Sequence, residues 1–255
     1  MKNSPSKLLL AFLAFVLAAI ACDSESSQPV PSLEATKNYT QDTSIFDSGH
    51  TAYGFFPSPP QPTTESVVET LRAMADHADA ILFQEPIPWE DFIDYPDGAS
   101  QKIEEMREVV TYIESLGMEP IFVVDPLNGL NRREFQGLPP KLTGGNFATP
   151  EIRAAFMNFA IRLTREFSPR YIGLASEINT YMDAYPEDVE NYLSLYSQTY
   201  AAIKEASPST QVFVTFQWDD LNRLDGDGER YDIKWEQMEA FEPELDIWVI
   251  SSYPY

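Results

Sequence analysis

The chain has 255 residues, of which 44% are hydrophobic and 13% aromatic; this composition excludes an intrinsically disordered protein and suffices for one sizeable α/β domain. Its formal net charge of -23 argues against nucleic acid and anionic membrane surfaces as partners, because both would repel it. The charge leaves neutral ligands open, and it also fits an acidic surface that serves only solubility.

Residues 1–21 are predicted to form a signal peptide. Lys2 and Lys7 precede the apolar run Leu8–Ala21, which is short for a membrane span but typical of a signal-peptide core. The run ends before Cys22, and this junction resembles a bacterial lipoprotein signal, in which the cysteine receives lipid. The resemblance implies an exported protein of the bacterial cell envelope, anchored in the membrane through Cys22. An ordinary secretory signal with a chance cysteine is the alternative.

Residues 22–50 are predicted to be a flexible tether, because they are rich in Ser, Thr, Gln, Pro and Asp and show little periodicity. Cys22 is the only cysteine, which excludes an intrachain disulfide. The fold that follows the tether, from residue 51 to 255, must therefore be stabilised by packing.

Six short segments after residue 50 have the pattern of β-strands. All but the first are nearly continuous apolar runs, as expected for parallel strands that are covered on both faces. The predicted strands are Ala52–Phe56, Ala78–Phe83, Glu119–Val124, Tyr171–Ala175, Gln211–Phe216 and Asp246–Ser251.

Helical segments lie between these strands. In Thr64–His77 and Ser100–Leu116 apolar residues recur at three- and four-residue spacing. Thr149 and Pro150 predict a helix start, with a capping hydroxyl followed by a proline in the first turn. A further helix is expected from about Pro186 to Ser207. The helix that begins near Thr149 places four apolar residues on one face: Ile152, Phe156, Phe159 and Leu163.

This alternation predicts right-handed βαβ units, and two architectures fit it: a doubly wound open sheet and a parallel (β/α)8 barrel of the TIM type. The doubly wound sheets that bind nucleotides use a glycine-rich turn after the first strand, whereas Pro57–Thr64 contains no glycine. Polar and aromatic residues follow nearly every strand, as in barrel enzymes, which build their sites at the carboxyl ends of many strands. We therefore favour the barrel.

Six strand–helix candidates precede the last residue, Tyr255, whereas a barrel of this type has eight strands. An incomplete barrel leaves unpaired strand edges. We therefore expect residues 51–255 to be a partial barrel, truncated after about six strands and lacking the last two βα units. A natural six-stranded open sheet is the alternative.

Two segments together resemble the clan of retaining β-glycosidases on (β/α)8 barrels, and among them the endo-β-1,4-galactanases (arabinogalactan endo-galactosidases). The fourth strand of that clan commonly ends in Asn-Glu, and Ser176–Glu177 in GLASEIN falls in this place. The sixth strand of the galactanases often reads D-[VI]-I-G-L-S-Y-Y-P. The corresponding sequence DIWVISSYPY matches it at Asp246, Ser251, Tyr253 and Pro254.

The resemblance implies a retaining glycoside hydrolase in which Glu177 is the catalytic acid/base. It places the nucleophile, a glutamate at the end of strand seven, after Tyr255. Ser176 stands where the family has an asparagine that bonds the sugar 2-hydroxyl, and Ser252 replaces a family tyrosine. These departures leave the substrate and the activity open.

The residues around Glu177 permit the same chemistry without the family. A carboxyl group at a strand end, beside Leu174 and Ile178, could be held neutral by poor solvation, as a general acid requires. Aromatic rings near strand ends offer flat faces to sugar rings. The candidate substrate contacts are Ser176, Asn179, Trp89, Gln217, Trp218, Tyr253, Asp125 and Glu85.

Each candidate also has a structural interpretation, as a helix cap, a turn acid or a packed aromatic side chain. His50 and His77 have no cysteine or histidine neighbour at metal-ligand spacing, so we expect no zinc site and no cofactor. The first hypothesis is a retaining hydrolase of a neutral β-linked polysaccharide or oligosaccharide, with galactan as one candidate. The second is a non-catalytic carbohydrate-binding lipoprotein of the envelope, and the third an envelope protein whose barrel serves only as a scaffold.

Overall fold

The computed structural model describes residues 51–93, 100–222 and 233–253. The predicted signal peptide, Cys22 and the tether lie outside the described residues, as do Pro254 and Tyr255. The described residues fall into two compact units: one comprises those up to position 82 together with Glu104–Pro120, and the other those of 83–103 together with those from 121 onward. Within the described ranges, no helix combines the length and the apolarity that a membrane crossing needs.

All six predicted strands are present, and their pairing is parallel wherever a register is defined between them. One sheet has the strand order β1-β2-β3-β6-β7, and β8 pairs with β9. Strands that neighbour each other are successive along the chain, apart from one small hairpin, which is the strand order of a barrel wall. The strands are β1 (Gly54–Phe55), β2 (Ala80–Pro86), β3 (Glu119–Asp125), β4 (Leu127–Asn128), β5 (Asn131–Phe135), β6 (Tyr171–Gly173), β7 (Gln211–Phe213), β8 (Thr215–Gln217) and β9 (Val249–Ser251).

β7 and β8 together occupy one predicted strand, which is interrupted at Val214. The hydrogen bonds to the extension of β6 continue across the interruption. The Leu174 amide donates to the Phe213 carbonyl over 2.8 Å, and the Thr215 amide donates to the Ala175 carbonyl over 3.2 Å. The chain after β6 therefore stays beside β8 up to the position of the candidate acid.

The four long predicted helices are also present, and four short α-helices accompany them in the described ranges. The short ones, α2, α5, α7 and α8, follow strand ends or loops and were not predicted, because four to seven residues show too little periodicity. The helices are α1 (Thr64–Ala75), α2 (Trp89–Phe92), α3 (Gln101–Ser115), α4 (Pro150–Phe167), α5 (Ile178–Ala184), α6 (Val189–Ala206), α7 (Trp218–Leu221) and α8 (Trp235–Glu239).

Helix α4 buries the apolar face that its sequence predicts, since Ile152, Phe156, Phe159 and Leu163 are all fully buried. Its start differs from the expectation in one detail. The Thr149 hydroxyl accepts a hydrogen bond from the Asn146 amide in the preceding loop rather than from an amide of the helix. The start of α4 thus depends on the proline in its first turn, whose fixed φ suits a helix.

The first unit contains β1 and α1. Helix α1 begins at Thr64, as predicted, and is capped by Thr63, whose hydroxyl accepts from the Ser66 amide over 3.2 Å. Two side chains tie distant segments of this unit together. Asp79 accepts from the Tyr53 amide over 2.8 Å, and Arg72 donates to the Tyr112 hydroxyl over 2.9 Å.

In the second unit β4 and β5 form an antiparallel hairpin directly after β3. Phe135, at the end of β5, packs against an aromatic cluster, with its ring centroid 4.8 Å from that of Phe147 and 6.0 Å from that of Tyr181. The Phe147 ring also lies 4.7 Å from the buried Tyr192 ring. Aromatic pairs at these separations attract each other beyond their buried area, so the cluster anchors the hairpin beside the ends of the strands.

Candidate active site

Glu177 has a left-handed backbone conformation at the start of α5, with φ 53° and ψ 44°. This conformation costs a residue with a side chain about 1–2 kcal/mol, because its Cβ crowds the following carbonyl. Ser168, the other described non-glycine residue with positive φ, is an exposed helix C-cap, where the conformation is common. Glu177 instead joins a strand to a helix, and backbone strain of this kind concentrates at functional sites.

A half-buried hydroxyl on β8 fixes the strained peptide. The Glu177 amide donates to the Thr215 hydroxyl over 2.7 Å, and the Ser176 hydroxyl lies 3.2 Å from the same oxygen. Both Ser176 and Glu177 are 7% exposed. The two residues at the strand-four motif position are therefore held against the neighbouring strand.

The carboxylate of Glu177 accepts hydrogen bonds from three side chains on other elements. Its Oε1 accepts from the Ser251 hydroxyl at the end of β9 over 2.6 Å and from the Tyr253 hydroxyl over 2.8 Å. Its Oε2 accepts from Nε of Arg132, on β5, over 3.1 Å. Ser251 and Tyr253 of the strand-six motif thus meet Glu177 of the strand-four motif at one carboxylate.

Asp125, at the end of β3, belongs to the same network. Its Oδ2 accepts from Nη1 of Arg132 over 2.5 Å and from the Gln84 side chain over 2.6 Å. Its Oδ1 accepts from the Leu127 amide over 3.2 Å. Asp125 is the last residue of β3 and is 4% exposed, and these hydrogen-bond partners come from its own chain.

Arg132 was missed in the sequence, because it lies on the hairpin and 45 positions from Glu177. The available signal was Asn128–Gly129, since Asn-Gly is a strong indicator of a tight hairpin turn. A hairpin immediately after a barrel strand brings its residues to the end of the sheet where sites are built. That reasoning leads to residues 131–135 as site candidates.

Glu85 faces away from this network. Successive residues of a strand point to opposite faces, and Gln84 of β2 reaches Asp125. Glu85 instead forms an ion pair with Lys102 of α3, with Nζ and Oε2 2.6 Å apart, and only 4% of its side chain is exposed. The residue of β2 that joins the site is therefore Gln84, one position earlier than the residue chosen from the sequence.

Asn179 and Gln217 hold backbone segments together. The side chain of Asn179 accepts from the Gln217 amide over 2.8 Å and donates to the Gln217 carbonyl over 3.0 Å, as a paired strand would. Asn179 is fully buried. The side-chain oxygen of Gln217 accepts from the Asp220 amide and caps α7. Both side chains thus have structural partners.

The two predicted tryptophan platforms differ in exposure. Trp89 is 2% exposed, and its indole N–H donates to the Gln136 carbonyl over 2.8 Å. Its ring packs near Phe135, with the centroids 6.1 Å apart, so that in the described structure it is a core side chain under the hairpin. Trp218 is half-buried at the start of α7 and keeps part of its surface in solvent.

The charge state of Glu177 differs from the sequence expectation. Burial by itself would raise its pKa, as predicted for a neutral acid. The hydrogen bonds from Ser251 and Tyr253, together with the charge of Arg132, outweigh burial and lower the pKa of Glu177 below its ordinary value. The expectation that poor solvation keeps this carboxyl neutral is therefore wrong for the described state, in which Glu177 is ionised at neutral pH.

Asp125 responds in the opposite direction. Burial raises its pKa, although the Arg132 charge and the hydrogen bonds from Leu127 and Gln84 act against burial. The site thus contains two carboxyl groups in unlike environments and one guanidinium shared between them. Within the described ranges no group of three or more His, Cys, Asp or Glu residues is arranged to hold a metal ion.

Comparison of the sequence with protein-family models and with curated proteins finds no match. Comparison with solved structures does. The exo-β-1,4-mannosidase Op5Man5 from Opitutaceae bacterium strain TAV5 has a TM-score of 0.59 and 14% identity, covering 78% of this chain and 38% of that chain. The β-glucosidase 1317 has a TM-score of 0.52 and 14% identity, covering 75% and 56%.

A third solved structure is a GH5_18 protein from Bifidobacterium longum subsp. longum ATCC 55813, with a TM-score of 0.53 and 16% identity, covering 69% of this chain and 46% of that chain. A variant of that protein has also been solved in complex with Manβ1-4GlcNAc. The present chain spans 38% to 56% of the length of these three structures. At such identities the likeness shows the fold, a mainly parallel α/β structure of the TIM-barrel type.

Proposed function

We propose that this chain provides the acid/base half of a retaining glycoside hydrolase acting on a neutral β-linked polysaccharide or oligosaccharide. The observation that supports the proposal most strongly is the buried carboxylate of Glu177. It lies after a central strand, on a strained backbone, and accepts hydrogen bonds from Ser251 and Tyr253. The fold shared with solved glycoside hydrolases supports the same assignment.

The ionised form of Glu177 fits one half of a retaining reaction. In such a reaction the acid/base first protonates the leaving oxygen and then, as a carboxylate, takes a proton from the water that attacks the glycosyl-enzyme. The described Glu177, with its lowered pKa, corresponds to the base stage. For the acid stage Glu177 must carry a proton, which weakens its ion pair with Arg132.

Retaining cleavage also needs a nucleophile about 5–5.5 Å from the acid/base carboxyl group. Asp125 is committed to Arg132 and Gln84, and we assign it the task of holding Arg132. The proposed nucleophile is a glutamate in a longer protein, after Tyr255, as the galactanase resemblance implies. The partial coverage of the solved glycoside hydrolases agrees with this proposal.

The charges of the site favour a neutral sugar. Two carboxylates, Asp125 and Glu177, share the single positive charge of Arg132, and all three guanidinium nitrogens of Arg132 already donate to this chain. An acidic sugar would meet net negative charge here and on a chain with a formal charge of -23. Galactan remains the candidate from the strand-six motif, and anchoring at the envelope through Cys22 belongs to the same proposal.

The test is hydrolysis by the protein expressed from its complete reading frame. The panel consists of β-1,4-linked galacto-, manno- and gluco-oligosaccharides, with a β-linked uronic acid oligomer as the charged control. We expect turnover of at least one neutral series and a first product that retains the β-anomer, observed by proton NMR. Inversion at the anomeric carbon would refute the retaining mechanism. If the protein neither cleaved nor bound any of the neutral series, the function would be refuted.

A non-catalytic carbohydrate-binding protein is the second candidate, favoured by one observation. Each oxygen of the Glu177 carboxylate already accepts a hydrogen bond from its own chain, and Ser176 replaces the asparagine that the clan uses at the 2-hydroxyl. Calorimetry separates the candidates, because a binding protein gives a dissociation constant for a neutral oligosaccharide without any product. Product formation that depends on Glu177 would exclude the non-catalytic binding protein.

A further inference from the structure

Arg132 reaches the site from a hairpin that is fixed at several points. Phe135, three residues after Arg132, packs into the aromatic cluster of Phe147 and Tyr181. The Gln136 amide donates to the Pro126 carbonyl over 2.9 Å, and the Gln136 carbonyl accepts from the Trp89 indole. The guanidinium is therefore attached to a rigid support rather than to a free loop.

The guanidinium divides its donors among three residues of the site. Nε donates to Glu177 over 3.1 Å, Nη1 donates to Asp125 over 2.5 Å, and Nη2 donates to the Ser176 hydroxyl over 3.2 Å. Only 10% of the Arg132 side chain is exposed. A planar, fixed fork of donors sets direction as well as charge, which a lysine ammonium cannot do.

We infer that Arg132 is a positioning residue for Glu177: its guanidinium, braced by Asp125, fixes the direction of the Glu177 carboxylate. The inference rests on the proposed function, because that function gives the fixed carboxylate its task. It adds a residue and a role to that function, since the strand-four and strand-six motifs contain neither Arg132 nor Asp125.

The chain of contacts explains why two carboxyl groups are needed to hold one arginine. A buried guanidinium with a single partner would leave donors unsatisfied, at a cost of about 1–3 kcal/mol or more for a charged group. Asp125 satisfies Nη1 and is itself fixed by Gln84 and the Leu127 amide.

The charged and titratable groups that contact Glu177 come from two other elements. Arg132 faces it from β5, and Tyr253 faces it from the segment after β9. Asp125 acts on it through Arg132. In variants that change Arg132 and keep Tyr253, a shift in the pKa of Glu177 therefore reports the effect of Arg132.

The experiment follows the Glu177 carboxyl carbon by 13C NMR through a pH titration in the wild type, Arg132→Met and Arg132→Lys. We expect the pKa of Glu177 to rise in the methionine variant, and to rise less in the lysine variant, which keeps the charge but loses the fork. Arg133→Met is the matched control, because Arg133 is exposed at the next position of β5 and points to the other face. An unchanged Glu177 titration in both folded Arg132 variants would overturn the inference.

A second measurement uses the unaltered arginine and does not depend on the stability of those variants. The 15Nε resonance of Arg132 should shift with pH in step with the Glu177 titration, and this inflection should disappear in Glu177→Gln. A 15Nε signal that does not follow Glu177 would also overturn the inference.

The oligosaccharide panel keeps the two proposals apart. If the titrations of Glu177 and Arg132 are coupled but no sugar is cleaved or bound, the function is refuted and the ion-pair geometry is confirmed. Cleavage that depends on Glu177, with titrations that ignore Arg132, would refute the positioning role alone. If both hold, Arg132→Lys should shift upward the alkaline limb of the kcat/KM–pH profile, where Glu177 loses the proton that the leaving group needs, whereas a purely structural role would lower activity equally at all pH values.

Discussion

The Tyr253 hydroxyl donates a hydrogen bond to the Glu177 carboxylate over 2.8 Å, across 76 positions of sequence. This contact joins the two segments that resemble the galactanases, and Ser251 makes a second bond to the same oxygen over 2.6 Å. Two motifs chosen separately from the sequence therefore meet at one atom. The charge state of Glu177 therefore depends on hydrogen bonds from the end of β9 and the segment after it.

Removal of the Tyr253 hydroxyl should raise the pKa of Glu177. The reason is that hydrogen bonds to a carboxylate stabilise its ionised form and lower its pKa. Tyr253→Phe deletes one such bond, and a 13C titration of the Glu177 carboxyl group measures the change. Ser252→Ala, at the exposed neighbouring position, should leave the titration unchanged; equal titrations in the two variants would contradict the contact.

The backbone at Glu177 predicts that glycine is better tolerated there than alanine. Both substitutions remove the carboxylate, but only glycine adopts φ 53° without a Cβ clash. We expect the free energy of unfolding in urea to be about 1 kcal/mol higher for Glu177→Gly than for Glu177→Ala. Ser168, at φ 44°, is the reference position, and its glycine and alanine variants should differ with the same sign. Equal stabilities at position 177 would show that its backbone is not left-handed.

Thr215→Val should destabilise the protein by about 1–3 kcal/mol, because it leaves the buried Glu177 amide without its acceptor. Valine has nearly the same shape as threonine, so the packing of β8 changes little. Chemical denaturation measures the loss. Thr215→Ser retains the hydroxyl and should keep most of the stability; a serine variant as unstable as the valine variant would assign the effect to packing instead.

Acid should remove the stability that ionised Glu177 contributes. Its pKa is lowered in the folded protein, so the unfolded chain binds a proton first as the pH falls. The contribution is complete above the ordinary glutamate pKa of about 4.3 and is lost as the pH falls through the folded pKa. The difference in Tm between the wild type and Glu177→Gln should therefore shrink below about pH 4.3. A difference that stays constant with pH would contradict the assigned ionisation.

Asp125 provides the contrasting sign. Its pKa is raised, so the stability associated with its protonation is lost as the pH rises through the folded pKa. As the pH falls through the acid range, the Tm of Asp125→Asn should therefore fall relative to that of the wild type, whereas the Tm of Glu177→Gln should rise relative to it.

Local patterns in the sequence were sufficient for the long elements. Continuous apolar runs located all the strands but the first, and apolar residues at three- and four-residue spacing located α1, α3 and α4, because burial on one or both faces dictates those patterns. Strand-end logic also located Glu177, Ser176, Asp125 and Tyr253, which the structure brings together through Arg132 and direct bonds.

The remaining site residues depend on contacts that are distant in sequence. Arg132 was missed because its role requires the hairpin to fold back onto a strand end 45 positions away. Gln84 and Glu85 are adjacent polar residues of one strand, so their side chains point to opposite faces of the sheet. Only the structure shows that the side chain facing Asp125 is that of Gln84. Trp89 follows a strand as a sugar platform would, yet the loop that covers it contributes Phe135 and the Gln136 carbonyl and makes it part of the core.

The most direct test of the account is the turnover of Glu177→Gln in the protein expressed from the complete reading frame. Glutamine keeps the size of the side chain and acceptor capacity for Ser251 and Tyr253, but it cannot transfer the proton. We expect kcat on a neutral β-linked oligosaccharide to fall about 10²–10⁴-fold, with the dissociation constant for that sugar nearly unchanged. A kcat within a few-fold of the wild type would contradict the assignment of Glu177 as the catalytic acid/base.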